Sequence, residues 1–412
     1  MSLSPRIRHA FRALKHRNFQ IFWVGQGISV AGTWMQTLAQ SWLLYRMTDS
    51  ALALGFLTAA RFGPALVIAP FAGLAADRLP RRKVVMGTQG TSLVLATILA
   101  VLTLGGWIRV SHIMILALLQ GCVDSLDMTV RQTFQMDLVG SEDLQSAVSL
   151  NSAAFNSGRM VGPALAGILV ARLGEGWCFV VNAASYLAVL TSLFFLRVKP
   201  VGQGTPSRSV LQDIAAGLRY AWGTAAIRRV MLAVAMTSSI GLSVNTLTPA
   251  LTRDVLSAGP RGFGAILAGS GVGAILGALL AAAASTSRRA ALVNVVALAA
   301  MGISLLGLGL ARDLRLAVFC MTLLGSSSAL QLATSNTFLQ TASRPELRGR
   351  VVSLYVWIFQ GLAPIGGFAA GWVAHGAGIP AAVLGAGALC LLAGGALSLV
   401  PSGKGLSAEP QG

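Results

Sequence analysis

Long apolar stretches alternate along the chain with short segments in which arginine, glycine and proline gather. The stretches run from 18 to 45, 51 to 76, 84 to 107, 111 to 138, 146 to 171, 177 to 197, 230 to 252, 262 to 284, 290 to 311, 315 to 340, 350 to 374 and 380 to 400. A helix needs about 20 apolar residues to cross the hydrocarbon core of a bilayer. Only structures that satisfy their own backbone hydrogen bonds survive there, and helices do. The pattern predicts an all-α membrane protein with twelve transmembrane helices.

Residues 198–229 interrupt the series. Gly202, Gly204 and Pro206 break it, and Leu211, Ile214, Ala215, Leu218 and Trp222 then follow at helical spacing. This reads as a linker whose helix lies in the cytoplasmic interface. The flanking sequences repeat at an offset of 204 residues: Thr133-Phe134 matches Thr337-Phe338, Glu142 matches Glu346, and Gly162, Ala166, Gly167 and Gly174 match Gly366, Ala370, Gly371 and Gly378. We expect two homologous six-helix halves, residues 1–197 and 230–400, joined by 198–229 and followed by a tail at 401–412.

A hydrophobic fraction of 55%, a charged fraction of 11% and a mean hydropathy of +0.72 leave too little polar surface for a soluble globule. The net charge of +18 is not a nucleic-acid signature, because the basic residues punctuate apolar runs rather than coat one face. They also set a topology. Segments on the side of the amino terminus hold 22 Lys and Arg and the opposite loops hold seven, with Arg61 and Arg159 inside spans. Both termini are expected in the cytoplasm. The first span is too long for a signal-peptide core, so no processing is expected. Cys122, Cys178, Cys320 and Cys390 lie singly in four spans, with no paired spacing for a disulfide or a metal.

The segment from Gly73 to Lys83 is a short basic hinge between two spans. Its glycine, three residues, Asp, Arg and basic cluster resemble the signature loop of the major facilitator superfamily, with Gly73, Asp77, Arg78, Arg81 and Arg82 on the matching positions and Pro80 where glycine is commoner. The resemblance extends from about Asn18 to Val400 and implies parallel halves with a substrate site between them near the midplane. It also places Asp77 beside the start of the eleventh span, near Gly349 and Arg350, where a carboxylate meets unpaired backbone donors and stabilises a closed cytoplasmic gate. Arg78, Arg81 and Arg82 are expected mainly to hold the loop at the anionic leaflet and to orient the hinge. The segment from Arg131 to Asn182 is similar to bacterial multidrug and siderophore exporters related to the enterobactin exporter. Gly158, Gly162, Pro163 and Gly167 resemble the glycine-rich exporter motif, which suits either a hinge or close helix packing.

Two carboxylates, Asp124 and Asp127, fall well inside a span, on one helical face with Gln120 and Arg131. An ionised group in hydrocarbon faces a partner or water. One reading is neutralisation of Arg131 or Arg159 by Asp127 or Asp124. The other is proton coupling, in which a conformational change alters the desolvation or the Arg proximity of a carboxylate; Asp124 is preferred for its depth. Asp137, nearer the interface, is expected to join the basic hinge. Polar positions Gln26, Trp34, Gln36, Arg61, Asn156, Asn182, Asn245 and Gln331 are expected to line a central cavity, although interhelical hydrogen bonding is the alternative for each.

The expected function is secondary active export of an amphipathic small molecule, driven by protons through alternating access, by a monomer in a bacterial inner membrane. No nucleotide-binding loop, clustered His and carboxylates or nucleophile motif points to an ATPase or another enzyme. An importer of the same fold and a membrane receptor are the alternatives. Membrane lipids and protons are the expected partners beside the substrate, with no cofactor, no metal and no nucleic acid. A siderophore and a cationic drug fit the sequence equally.

Overall fold

Asp49 and Ser50 close the first apolar run, and the chain turns there because both residues suit a helix end. Asp49 adopts a left-handed conformation (φ 48°), and Ser50 accepts a hydrogen bond from the amide of Ala53. They separate α1 (Arg17–Thr48) from α2 (Ala51–Ile68). The computed structural model describes residues 11–68, 79–196, 210–283, 290–344 and 347–399, and every regular element among them is helical.

Pro80 stands immediately before α3 (Arg81–Leu104). A proline there gives up no helical hydrogen bond, so the substitution for glycine in the signature loop is tolerated. A glycine turn, with Gly106 at φ 74°, leads into a long helical run, Val110–Leu173. Gly140 divides that run with φ 73° and ψ 178°, a conformation open only to glycine. The apolar pattern predicts a loop over 139–145; the structure replaces it with this single residue, giving α4 (110–139) and α5 (141–173). Then come α6 (Glu175–Phe195) and, after residues outside the described set, α7 (Val210–Gly223), which packs through Gly217 against Arg350.

The run α8 (Ala225–Val255) contains two wide π turns, Thr237–Gly241 and Leu251–Val255, on either side of a stretch interrupted by Pro249. Proline withholds an amide, and the neighbouring turns relax to rejoin the ladder. The chain ends with α9 (Pro260–Ala283), α10 (Ala290–Leu310), α11 (Leu314–Ala342), α12 (Arg348–Ala377) and α13 (Ile379–Leu399). Ten helices among the described residues are long and apolar enough to cross a membrane, with Val110–Leu173 counted once. The 32-residue α1 is not among them, since Gln26, Ser29, Thr33, Gln36 and Gln40 dilute its hydropathy.

Small residues set the packing distances. A methyl group placed on Gly273 of α9 would sit 1.9 Å from the Thr322 carbonyl of α11, and one on Gly366 of α12 would sit 1.9 Å from the Ser239 carbonyl of α8. Lipid supplies no hydrophobic drive between helices, so such close backbone approach is what holds them. Glycines matched by the internal repeat do matching work. Gly167 of α5 lies against Gly264 and Pro260 of α9, and Gly371 of α12 lies against Gly55 and Ala51 of α2. Gly174 and Gly378, also matched, cap their helices at φ 89° and 88°.

These last contacts join α1–α6 to α8–α13, and they lie toward the end of the bundle that carries residues 46–51 and 253–260. The Tyr45 hydroxyl bonds Asp254, Arg253 pairs with Asp49, and Trp42 stacks on Phe263 with centroids 5.7 Å apart. Thr58 and Thr246 meet at 3.1 Å nearer mid-height. That end is sealed between the two groups of helices.

Overpacking such a contact costs about 1–3 kcal/mol. We therefore expect Gly273→Ala to lower the thermal unfolding midpoint of the purified protein by several degrees. Gly395→Ala, on an open face of α13 with nothing within 4 Å of the added methyl, should leave it unchanged.

Candidate functional site

The polar stripe of α4 meets α2 and α3 at mid-height, and the two carboxylates on it find different surroundings. Asp127 is buried, 3% exposed. Arg131, one helical turn on, pairs with it at 2.6 Å, while Thr88 Oγ1 and Gln89 Nε2 of α3 donate to its other oxygen at 2.6 and 3.1 Å. The carboxylate is saturated with donors, and a proton added to it would break the ion pair. Its environment is that of a structural tie.

Asp124 reaches the other way. Arg61 of α2 donates to it at 2.7 Å and Gln120 Nε2, which also bonds Ser92 of α3, donates at 2.8 Å. Its side chain is 45% exposed, whereas that of Arg61 is 13% exposed with Nη1 buried and unmatched by any described acceptor. Asp124 is therefore accessible where Asp127 is enclosed. Of the pairings the sequence left open, Asp127 takes Arg131, and Asp124 takes Arg61, a residue expected only to line the cavity.

Arg159 of α5 takes no carboxylate among the described residues. Its Nη2 donates to Ser270 Oγ of α9 at 3.1 Å, and its guanidinium lies 5.9 Å from the ring of Trp34 on α1. The glycines around it explain how three helices come so close. Gly158 and Gly162 abut Val30, Ala31 and Trp34 of α1, while Pro163 and Gly167 abut Gly264 of α9. The exporter-like motif is thus a packing seam against two helices at once.

The expected cavity residues divide by burial. Trp34, Arg61, Asn156 and Asn245 are partly exposed. Gln26, Gln36, Asn182 and Gln331 are not, at 2%, 6%, 0% and 0%. Asn182 Nδ2 donates to Gln36 Oε1 at 2.8 Å between α6 and α1, and Thr237 bonds Gln331 between α8 and α11. In this conformation Gln36, Asn182 and Gln331 join helices rather than line a cavity, because a closed interface offers them better partners than water does, while Gln26 is enclosed with its Oε1 unmatched by any described donor.

Of the hinge loop, Gly73, Asp77 and Arg78 lie outside the described residues. Arg81 pairs with Asp137 of α4 at 2.8 Å, as the expected grouping of Asp137 with the hinge requires. Arg82 donates to the carbonyls of Leu193 and Phe194 at the end of α6, at 2.9 and 3.0 Å. Both guanidiniums are therefore engaged by protein, in contacts that suit the expected part in orienting the hinge; the free carbonyls of a helix end are strong acceptors in a fixed place. Sequence reasoning missed Thr88, Gln89 and Ser92, although their positions within an apolar run on one face of α3 signal a buried polar partner. It also missed the contact of Asp143 with Arg12 at 3.0 Å and His16 at 2.9 Å, which fastens the turn before α1 to the start of α5.

Asp127→Asn would set an amide among three donors aimed at an enclosed carboxylate, so it should lower stability by about 1–3 kcal/mol, the cost of an unmatched buried polar group. Asp124→Asn, half open to water, should shift the unfolding midpoint less. Thermal unfolding of the two variants side by side checks the ranking.

With this geometry in view, the comparisons with known proteins are specific. The chain is 29% identical to the multidrug efflux pump Tap of Mycolicibacterium fortuitum over 367 residues, covering 86% of this chain and 88% of that one. It is 26% identical to the staphyloferrin A transporter of Staphylococcus aureus, over 81% of this chain and 84% of that one, and 26% identical to the enterobactin exporter EntS of Escherichia coli, over 82% and 81%. Its fold superposes on the nucleoside transporter NupG with a TM-score of 0.74 at 13% identity, covering 94% of this chain and all of that one, and on a D-xylose-proton symporter with 0.73 at 16% identity, covering 93% and 98%. Residues 8–409 match the transmembrane secretion effector family, MFS_3. The chain belongs to that family of major facilitator transporters and is a multi-pass membrane transporter rather than an enzyme.

Proposed function

We propose that this transporter exports an amphipathic small molecule in exchange for protons, with Asp124 as the proton-carrying group. The observation that carries the reading is the Asp124–Arg61 pair, a 2.7 Å contact between α4 and α2 whose carboxylate is 45% exposed. A proton arriving at Asp124 removes the attraction that holds Arg61. Closing water out of the site, in turn, favours the neutral carboxylic acid. Occupancy by a proton and the relative position of two helices are then linked in both directions. Export is supported by the drug and siderophore transporters among the relatives and by the glycine-rich seam.

Twelve spans are our reading of the described helices. Adding α1 to the ten most apolar ones and dividing Val110–Leu173 at Gly140 gives that number, six on each side of α7. The matched glycines at the α5–α9 and α2–α12 contacts support two halves related by the internal repeat. The excess of Lys and Arg places both termini, α7 and the hinge in the cytoplasm of a bacterial cell, with the protein in its inner membrane. The sealed end at Tyr45–Asp254 then faces outward, and the conformation is open to the cytoplasm. Asp77 would serve the opposite, cytoplasm-closed state.

Reconstituted Asp124→Asn protein should keep its fold and lose uphill substrate movement under an imposed pH gradient, by at least tenfold. Uphill transport at the wild-type rate would remove Asp124 from coupling. For the topology, cysteines introduced at Gly204 and Ser402 in a background lacking the native thiols should react only from the cytoplasm, and one at Gly174 only from outside. Reaction of Gly204 and Ser402 from opposite sides would overturn the count of spans.

A further inference from the structure

Arg61 and Arg159 lie at mid-height in α2 and α5, Arg131 lies nearer the end of α4, and α4 carries the two carboxylates Asp124 and Asp127. Two of the arginines are matched, at 2.7 and 2.6 Å. Arg159 is left over, and the two helices it rests on offer it no acid. The helices that touch it are α1 and α9, and neither Arg17–Thr48 nor Pro260–Ala283 contains a single Asp or Glu. In α5 itself the acidic residues are Glu142 and Asp143, four turns away, and Asp143 is already held by Arg12 and His16. The whole segment 225–399 adds only Asp254, Asp313 and Glu346, of which Asp254 and Asp313 lie beside turns between helices and Glu346 lies outside the described residues.

A guanidinium enclosed by protein without a counter-charge is costly to maintain. Ser270 Oγ and the Trp34 ring occupy part of its surface, but a guanidinium carries five donors. It is partly exposed. Beside it, Trp34 packs edge-on against Phe155 with centroids 5.8 Å apart, and Phe155 is 49% exposed. Asn156, one turn before Arg159 on the open side, is partly exposed as well. A fixed planar cation thus stands at the edge of an accessible aromatic wall, where α5 and α1 meet α9 of the other helical group.

We propose that Arg159 is the recognition site for an anionic substrate, and that the transported class is an oxyanion, such as a carboxylate, carried on a flat aromatic body. This rests on the export reading and deepens it, by choosing between an anionic siderophore-like molecule and a cationic drug. The guanidinium offers two parallel N–H groups to an oxyanion, and Trp34 and Phe155 take the flat body. A cation would gain the aromatic wall and meet an unmatched positive charge beside it. Lipid headgroups carry comparable oxyanions, but they lie at the bilayer surfaces, and Arg159 sits midway along α5. Because Ser270 belongs to the opposite group of helices, an anion that takes donors from Arg159 competes with an existing link between the groups, so binding and conformational change share one side chain.

Fluorescein and rhodamine 6G test this, since they share one ring system and differ in charge. Binding to the full-length protein in phosphatidylcholine nanodiscs is read by fluorescence anisotropy, with empty nanodiscs subtracted. Fluorescein should bind at least tenfold more tightly than rhodamine 6G. Arg159→Gln should weaken fluorescein at least tenfold, Arg159→Lys should restore part of the loss, and neither should weaken rhodamine 6G. Tighter wild-type binding of rhodamine 6G, or equal loss of both dyes in Arg159→Gln, would overturn the assignment and leave Arg159 as a link between helices. Inside-out vesicles separate this from failure of the export reading: wild-type vesicles that accumulate rhodamine 6G but not fluorescein would uphold export and refute the anionic class, while accumulation of fluorescein, lost in Arg159→Gln, upholds both.

Discussion

Charge inside hydrocarbon must be answered inside the protein, and most of the specific architecture of this chain follows from how that is done. The interior of the bilayer offers no water to screen a guanidinium, so each buried arginine fixes the helix that carries its partner. Arg61 joins α2 to α4, and Arg81 joins α3 to α4. These two ties converge on α4, which becomes the hub of the amino-terminal helices, while the more exposed Arg46 joins the end of α1 to α6 through Glu175 at 2.9 Å. The carboxyl-terminal helices hold few acids, and the contacts seen among their described residues are mainly those of glycine and a few hydroxyl and amide bonds, such as that between Ser335 and Asn294 at 2.8 Å.

This division gives the two groups of helices different mechanical characters. Directional ion pairs hold one arrangement and resist sliding. Backbone-to-backbone contact through glycine tolerates small displacements, because it has no donor to misalign. The amino-terminal group carries the two carboxylates within spans, so the proton exchange proposed above belongs to it. Arg159 is where the two characters meet, a charge from one group resting on a hydroxyl of the other.

The helical series was legible in the sequence because lipid imposes one period and one length. The internal repeat was legible for a similar reason, since Gly167 and Gly371 face equivalent close contacts and nothing larger fits either place. The pairing of Asp127 with Arg131 could be read from their spacing on one helix. That of Asp124 with Arg61 could not, because 63 residues separate them and no period relates α2 to α4. Amides were harder still. A polar stripe along α1 is compatible with water or with another helix, and only the position of α6 decides that Gln36 meets Asn182. The break at Gly140 was disguised as a loop, because the surrounding polar residues signal a surface and do not reveal that one glycine suffices to turn the chain.

The network of Asp49, Arg253, Tyr45 and Asp254 at the sealed end has a different standing from the ion pairs within the bundle. Arg253 and Asp49 have side chains 40% and 70% exposed, so their attraction is weakened by dissolved salt, whereas the Asp127–Arg131 pair, with its carboxylate buried, is more sheltered from it. In the orientation proposed, that salt is the medium outside the cell. The bond that must break before the outer side can open is then, like the Arg46–Glu175 pair, in contact with the outside world. The ionic composition of the surroundings enters the conformational equilibrium directly, and the resting balance between inward and outward states becomes a property of the habitat as well as of the protein.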